Sequence, residues 1–128
     1  MKTQKRHMSD LHFENSIWKN RLDFYEDELK IFNHRLEEVA KANTGVDVKI
    51  KVEQFQNRFY INKVELLRLN KQIREQELEL ANHAIGNPTA SDHMLFDDHE
   101  ELRFKIGKAE QIYQELKDEF LRFLSDSL

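Results

Sequence analysis

Apolar side chains recur along this chain at alternating steps of four and three residues, in three long segments. Such a repeat places the apolar side chains on one face of a helix and is typical of helices that pack against one another. The segments run from Leu11 to Asn43, from Val48 to His83 and from Leu95 to Ser127. The pattern predicts an all-α fold of three packed helices.

Residues that can cap a helix precede each segment. Ser9 and Asp47 carry side-chain oxygens that can accept hydrogen bonds from the first turns of the first and second helices. Thr89 or Ser91 can cap the third helix, where Asp92 adds negative charge at the helix start. We expect helices over about residues 10–43, 47–85 and 91–125, after a flexible basic tail over residues 1–9.

Glycine and proline separate the predicted helices. Gly45 is expected to adopt the left-handed conformation that ends many helices. Gly86 is followed by Pro88, which cannot continue a helix. Because both links are short, neighbouring helices must run antiparallel. The expected architecture is one domain, an elongated up-down-up three-helix bundle with coiled-coil-like packing.

The antiparallel order predicts which residues face each other. Residue numbers at one level should sum to about 91 for the first two helices and to about 178 for the second and third. One end of the bundle then collects an apolar set: Phe32, Leu36, Phe55, Phe59, Phe120 and Phe123. The other end collects a polar set: Asn15, Gln76, His83 and His99. The two ends are therefore expected to differ in chemistry.

Composition narrows the range of functions. The 128 residues carry a net charge of −4 and include no cysteine, which excludes disulfides, thiolate nucleophiles and cysteine-based zinc sites. A net negative charge gives no general attraction to nucleic acids or anionic membranes. The sequence has neither a signal-peptide-like start nor an apolar run of about 18 residues. We expect a cytoplasmic protein that binds neither nucleic acid nor membrane.

Histidines gather near the polar end and suggest a metal site. His83 and His99 occupy inward positions on neighbouring helices, His12 lies at a similar height, and Glu79 precedes His83 by one turn. Imidazole and carboxylate groups that converge inside a bundle can bind zinc or iron. The di-iron motif Glu-x-x-His is absent. The alternative is that these side chains are hydrated polar groups at the bundle end.

Three inward amides invite a different hypothesis. Asn15, Asn62 and Gln76 occupy positions that the repeat assigns to the core. A polar residue at such a position can fix the register of packed helices. Asn62 is expected near mid-bundle, where an amide without partners would cost about 1 to 3 kcal/mol. Simple tolerance of the amide at a hydrated seam is the alternative.

Catalysis has little support in the sequence. The serines lie mostly at helix ends, where capping explains them, and the carboxylates alternate with lysine and arginine on outward positions. Gly45, Gly86 and Gly107 are too far apart to form a phosphate-binding loop. We predict a non-enzymatic protein with no catalytic residue and no cofactor.

Apolar residues outside the inward set are the most informative feature for function. They are Phe13, Ile17, Phe24 and Ile31 in the first helix and Ile50, Tyr60, Val64, Leu67 and Leu78 in the second. Monomeric proteins seldom expose large contiguous apolar patches. We therefore expect these residues to contact another chain, with a homodimer favoured over an adaptor that binds a partner's helix. A monomer with a wide core is the alternative.

Overall fold

The chain forms three long α-helices in a computed structural model that describes residues 2–89 and 91–127, with side chains described from Met8 onward. Helix α1 spans Lys2–Ala42, α2 spans Val46–Ala84 and α3 spans Asp92–Ser127. The helices pack against each other as an all-α three-helix bundle, as the repeat predicts. The short links make α2 antiparallel to α1 and to α3.

Helix α1 begins earlier than expected. It starts at Lys2 instead of Asp10, so Ser9 lies inside the helix and does not cap it. The residues before Ser9 include lysine, glutamine and arginine, which favour helices, and no glycine or proline. A capping residue does not start a helix when the preceding residues are helix formers. The side chains of Lys2, Lys5, Arg6 and His7 lie outside the described residues.

The link between α1 and α2 also differs from the prediction. Gly45 is the N-cap residue of α2 with φ −64° and ψ 144°, which is extended and not left-handed backbone. Asp47 lies in the first turn of α2 instead of capping it, where its negative charge still favours the helix start. The left-handed glycine is Gly86, with φ 77°, directly after α2. The predicted end of α2 is therefore confirmed.

The start of α3 is capped by Ser91, one of the two predicted candidates. Its Oγ accepts a hydrogen bond from the backbone N–H of Met94 at 3.1 Å. Thr89, the other candidate, instead bonds Glu79 on α2, and its backbone N–H donates to Glu79 Oε1 at 2.9 Å. These two bonds of Thr89 connect the α2–α3 link to the C-terminal part of α2.

The core follows the predicted inward positions, each of which is buried or half-buried. At the apolar end, Phe32, Phe55, Phe59, Phe120 and Phe123 form a cluster of aromatic rings with centroids 5.0 to 6.4 Å apart. Aromatic pairs at these distances stabilise a core beyond the area that they bury. Phe32 contacts Phe59 across α1 and α2, which agrees with the predicted sum of 91.

Candidate functional site

An apolar stripe lies on the outside of α1. It consists of Phe13, Ile17, Phe24 and Ile31, with exposed fractions of 67%, 37%, 57% and 65%. At 100° per residue these four positions fall within about 40° of one another around the helix. The predicted interface residues of α1 are therefore exposed and are not part of the core. We call these four residues the α1 stripe.

Charged residues border the α1 stripe on the side of α3. Glu14, Arg21, Glu28 and Arg35 follow one another at intervals of seven residues and alternate in sign. The first three bind α3 and form a ladder of ion pairs: Glu14 with Arg103 at 2.5 Å, Arg21 with Glu110 at 3.0 Å, and Glu28 with Lys117 at 3.0 Å. We call these three pairs the α1–α3 ladder.

Two tyrosines lie beneath the α1–α3 ladder. The rings of Tyr25 and Tyr113 stack with centroids 4.5 Å apart. Tyr25 donates to Glu110 at 2.5 Å, and Tyr113 donates to Glu28. Burial and the bond to Glu110 raise the pKa of Tyr25 to about 12, and burial raises the pKa of Tyr113 as well. Both phenols therefore stay protonated and act as donors between α1 and α3.

A second apolar surface is the groove between α2 and α3. It has a volume of about 450 Å³, and its apolar lining is Tyr60, Ile61, Val64, Leu66, Ala109 and Ile112. Tyr60 and Val64 belong to the predicted interface set, whereas Ile61 and Ile112 do not. We call this surface the α2–α3 groove. The repeat could not reveal it, because a groove depends on the distance between two helices.

The other predicted interface residues do not join the α1 stripe or the α2–α3 groove. Ile50, Leu67 and Leu78 are exposed on α2, with exposed fractions of 49%, 48% and 65%. On α3, Phe104 is 67% exposed and lies 5.6 Å from Nζ of Lys108. Sequence reasoning missed Phe104, although it also falls outside the inward set.

The polar end contains a buried network that joins all three helices. The side-chain oxygen of Gln76 on α2 accepts a hydrogen bond from Asn15 Nδ2 on α1 at 3.1 Å and one from His99 Nδ1 on α3. Asn15 Nδ2 also donates to Glu77 at 3.1 Å, while Asn15 Oδ1 is buried without a partner among the described residues. The prediction that Asn15 and Gln76 lie together in the core is confirmed.

His99 is almost fully buried within this network. Its ring stacks on Trp18, with centroids 4.7 Å apart, and its Nε2 lies 2.6 Å from Glu14 Oε1. Arg103 also binds that carboxylate, which holds the pKa of Glu14 below its usual value. Burial lowers the pKa of His99, although Glu14 opposes this shift. Both ring nitrogens face oxygen acceptors, so a neutral ring can donate only one of the two hydrogen bonds.

Of the two alternatives for Asn62, its contacts fit simple tolerance of the amide better than a register-setting role. It is half-buried, and its Nδ2 donates at 2.9 Å to the backbone oxygen of Arg58 on its own helix. The side-chain N–H of Asn62 thus finds its acceptor within α2, and it makes no bond to another helix among the described residues. Asn70, which the repeat did not identify, is buried and bonds Asp23 and Glu26 of α1 at 3.1 and 3.3 Å. Asn70 is therefore the mid-bundle amide that connects two helices.

The four proposed metal ligands do not converge. His12 is exposed and bonds Glu77 at 2.6 Å, whereas His99 binds Glu14 and Gln76. His83 lies 3.0 Å from Asp92 and 3.6 Å from Glu79, and its Nε2 is buried without a hydrogen-bond partner among the described residues. Among the described side chains, no group of three His, Asp or Glu residues is arranged to hold a metal ion.

Comparisons with known proteins add no further assignment. No family model, curated protein or solved structure matches this chain. No helix in the described ranges contains an apolar stretch long enough to cross a membrane. The exposed apolar surfaces and the buried polar network are therefore the features on which a function has to be argued.

Proposed function

We propose that this protein is a non-enzymatic, cytoplasmic helical bundle that acts through protein–protein contacts, in the first place with a second copy of itself. The α1 stripe is the observation that carries this proposal. Its four side chains are apolar, exposed and aligned on one face of α1, over about 27 Å of the helix. Burying such a face against another chain removes apolar area from water and stabilises the complex.

The interior of the bundle supports a scaffolding role. At the polar end, Gln76 binds Asn15 and His99, and the tyrosines beneath the α1–α3 ladder remain protonated donors. These bonds connect the three helices. A rigid bundle can present the α1 stripe without reorganising, which lowers the cost of association.

A single substitution tests the proposal. Phe24→Asp places a charge at the centre of the α1 stripe, where a second chain would have to desolvate it. We expect the wild-type protein to self-associate and the variant to sediment as a monomer with unchanged helix content by circular dichroism. Phe104→Asp is the matched control, because Phe104 on α3 is 67% exposed, against 57% for Phe24. A wild-type protein that stays monomeric at millimolar concentration would refute self-association.

The α2–α3 groove provides the alternative route to an interaction function. An adaptor would bind a partner's amphipathic helix between α2 and α3. Ile112→Asp places a charge inside this groove and leaves the α1 stripe intact. If Ile112→Asp abolishes self-association and Phe24→Asp does not, the groove is the interface. We expect the opposite result.

The other hypothesis from the sequence, a zinc or iron site, has weaker support. His12 binds Glu77, His83 faces Glu79, and His99 binds Glu14, so the four side chains do not meet at one point. Metal ligands must converge on one point at about 2.0 to 2.3 Å from the ion. The arrangement favours hydrogen-bonded polar side chains at the bundle end over a metal centre.

A further inference from the structure

The α1 stripe has an internal symmetry that specifies how a second copy can pack. Ile17 and Ile31 lie seven residues before and after Phe24. If two α1 helices pack antiparallel about a two-fold axis beside Phe24, each Ile17 meets Ile31 of the second copy and the two Phe24 rings meet each other. A two-fold contact requires this kind of self-complementary surface.

The charges that border the stripe have a matching symmetry. Glu14, Arg21, Glu28 and Arg35 lie on one flank of α1, and in an antiparallel pair this flank faces the same flank of the second copy. The alignment centred beside Phe24 brings Glu14 to the level of Arg35 of the second copy, and Arg21 to the level of its Glu28. Each charge then faces the opposite charge.

Neighbouring registers lack this complementarity. Sliding one helix by seven residues would keep part of the apolar stripe in contact. However, it would set Glu14 against Glu28 of the second copy and Arg21 against Arg21, or Arg21 against Arg35. Like charges at close range disfavour a complex. The flank therefore disfavours the two registers that lie seven residues away from the alignment centred beside Phe24.

Three of the four flanking side chains remain well exposed to a second chain. Side-chain exposure is 49% for Arg21, 41% for Arg35 and 31% for Glu14, although each already has an ion-pair partner within its own chain. Glu28 is 15% exposed and already binds Lys117 and Tyr113, so Arg21 of the second copy would have to share its carboxylate. Arg21 uses a single nitrogen, Nη1, for both of its bonds to Glu110, so its remaining N–H groups can donate to a carboxylate of the second copy.

We propose that two copies of this chain form an antiparallel, two-fold dimer through α1, with Phe24 on the axis, Ile17 against Ile31, and Arg21 beside Glu28 of the second copy. This inference rests on the proposed self-association and adds its geometry. The dimer would be a six-helix assembly in which each α2–α3 groove lies away from the interface and stays open.

Disulfide trapping tests the geometry directly, because the natural chain contains no cysteine. Two residues can be bridged only when their Cα atoms lie about 4.4 to 6.8 Å apart. We expect Phe24→Cys to form a covalent dimer on mild oxidation. Ile17→Cys and Ile31→Cys should each stay monomeric on a denaturing gel when oxidised alone, and should cross-link when the two variants are mixed. Phe104→Cys is the control for random collision.

The outcomes separate this geometry from its competitors. Cross-linking of Ile17→Cys with itself would indicate a parallel pair and overturn the proposal. Wild-type protein that is dimeric by sedimentation, together with Phe24→Cys that does not cross-link above the Phe104→Cys control, would leave self-association standing and refute the α1–α1 contact. Wild-type protein that is monomeric would refute the proposed self-association itself, and this dimer geometry with it. Cross-linking of the mixed pair at least tenfold above control supports the proposal.

Discussion

Gln76 joins three helices through one atom. Its side-chain oxygen accepts hydrogen bonds from Asn15 on α1 and from His99 on α3, while Glu14 and Arg103 extend the network to the surface. The residue is buried with 7% of its surface exposed. An acceptor shared by two buried donors cannot be replaced by water without opening the end of the bundle.

Gln76→Leu should therefore destabilise the protein strongly. The substitution leaves the Asn15 amide short of one acceptor and removes the acceptor of His99 Nδ1. Each buried polar group that loses its partner costs about 1 to 3 kcal/mol. We expect a loss of about 2 to 4 kcal/mol in the free energy of unfolding, measured by urea denaturation. Gln54→Leu, an exposed position on the same helix, should change the free energy by no more than about 0.5 kcal/mol.

The stability of the bundle should fall as the pH is lowered. Burial holds the pKa of His99 below its ordinary value of 6.5. Below about pH 6.5, His99 is therefore protonated in the unfolded chain before it is protonated in the folded chain, and this difference favours unfolding. The lowered pKa of Glu14 adds a second loss as the pH falls below about 4.5. Urea denaturation at pH 7.5, 5.5 and 4 measures both stages.

Substitution of single histidines assigns the first stage. His99→Phe should reduce the loss of stability between pH 7.5 and 5.5, because the group that changes protonation is gone. His34→Gln, at an exposed position on α1, should preserve it. A wild-type protein that is more stable at pH 5.5 than at pH 7.5 would mean that Glu14 keeps His99 charged in the folded state.

The sequence predicts how far along the bundle a polar residue lies, but it does not predict which residues that side chain contacts. The repeat correctly placed Asn15 and Gln76 together. It left two roles open for Asn62, which bonds its own helix, and it did not identify Asn70, which bonds α1. Side-chain direction and the spacing of two helices decide the partner of each asparagine. A one-dimensional repeat contains neither quantity.

At the scale of helices, the first turn of α3 depends on one hydroxyl. Ser91 accepts a hydrogen bond from Met94 at 3.1 Å. Ser91→Ala should cost about 1 kcal/mol in the free energy of unfolding, because the backbone N–H loses this acceptor. Ser16 lies within α1 and bonds the backbone oxygen of His12. Ser16→Ala should be neutral or slightly stabilising, because alanine favours helix interiors; an equal loss in both variants would contradict the capping role.

Gly107 in α3 is a position where a substitution should stabilise the protein. A Cβ added at this position meets no atom within 4 Å, so the helix gains no clash and the unfolded chain loses flexibility. Gly107→Ala should raise the free energy of unfolding by about 0.5 to 1 kcal/mol. Gly86→Ala is the contrasting variant, since its φ of 77° strains any residue with a side chain and should lower stability. Thermal melts of both variants measure the difference.

Helix existence could be predicted from the sequence, whereas two of the helix boundaries could not. The early start of α1 and the extended Gly45 contradict the capping signals at Ser9 and Asp47. Gly86 and Ser91 behave as predicted. The difference is physical: Gly86 stands before a proline that forbids continuation, whereas the residues around Ser9 permit a helix on both sides.

In the whole molecule, a row of ion pairs and a row of exposed apolar side chains run next to each other along α1. The α1–α3 ladder binds two parallel helices through alternating charges, and the exposed apolar side chains of the α1 stripe lie beside it. Parallel helices connected through a third need such a register device, because no short link sets their relative height. The same alternating charges on α1 provide the complementarity that we propose for a second copy.

The proposed dimer is tested by the molar mass of the wild-type protein in solution, measured by sedimentation equilibrium and compared with Phe24→Asp at the same concentrations. A single chain has a mass of 15.5 kDa. We expect the wild-type mass to rise with concentration toward that of two chains, while Phe24→Asp stays at the mass of one chain. A wild-type mass of one chain at every concentration, or a Phe24→Asp variant that still dimerises, would contradict the proposed dimer.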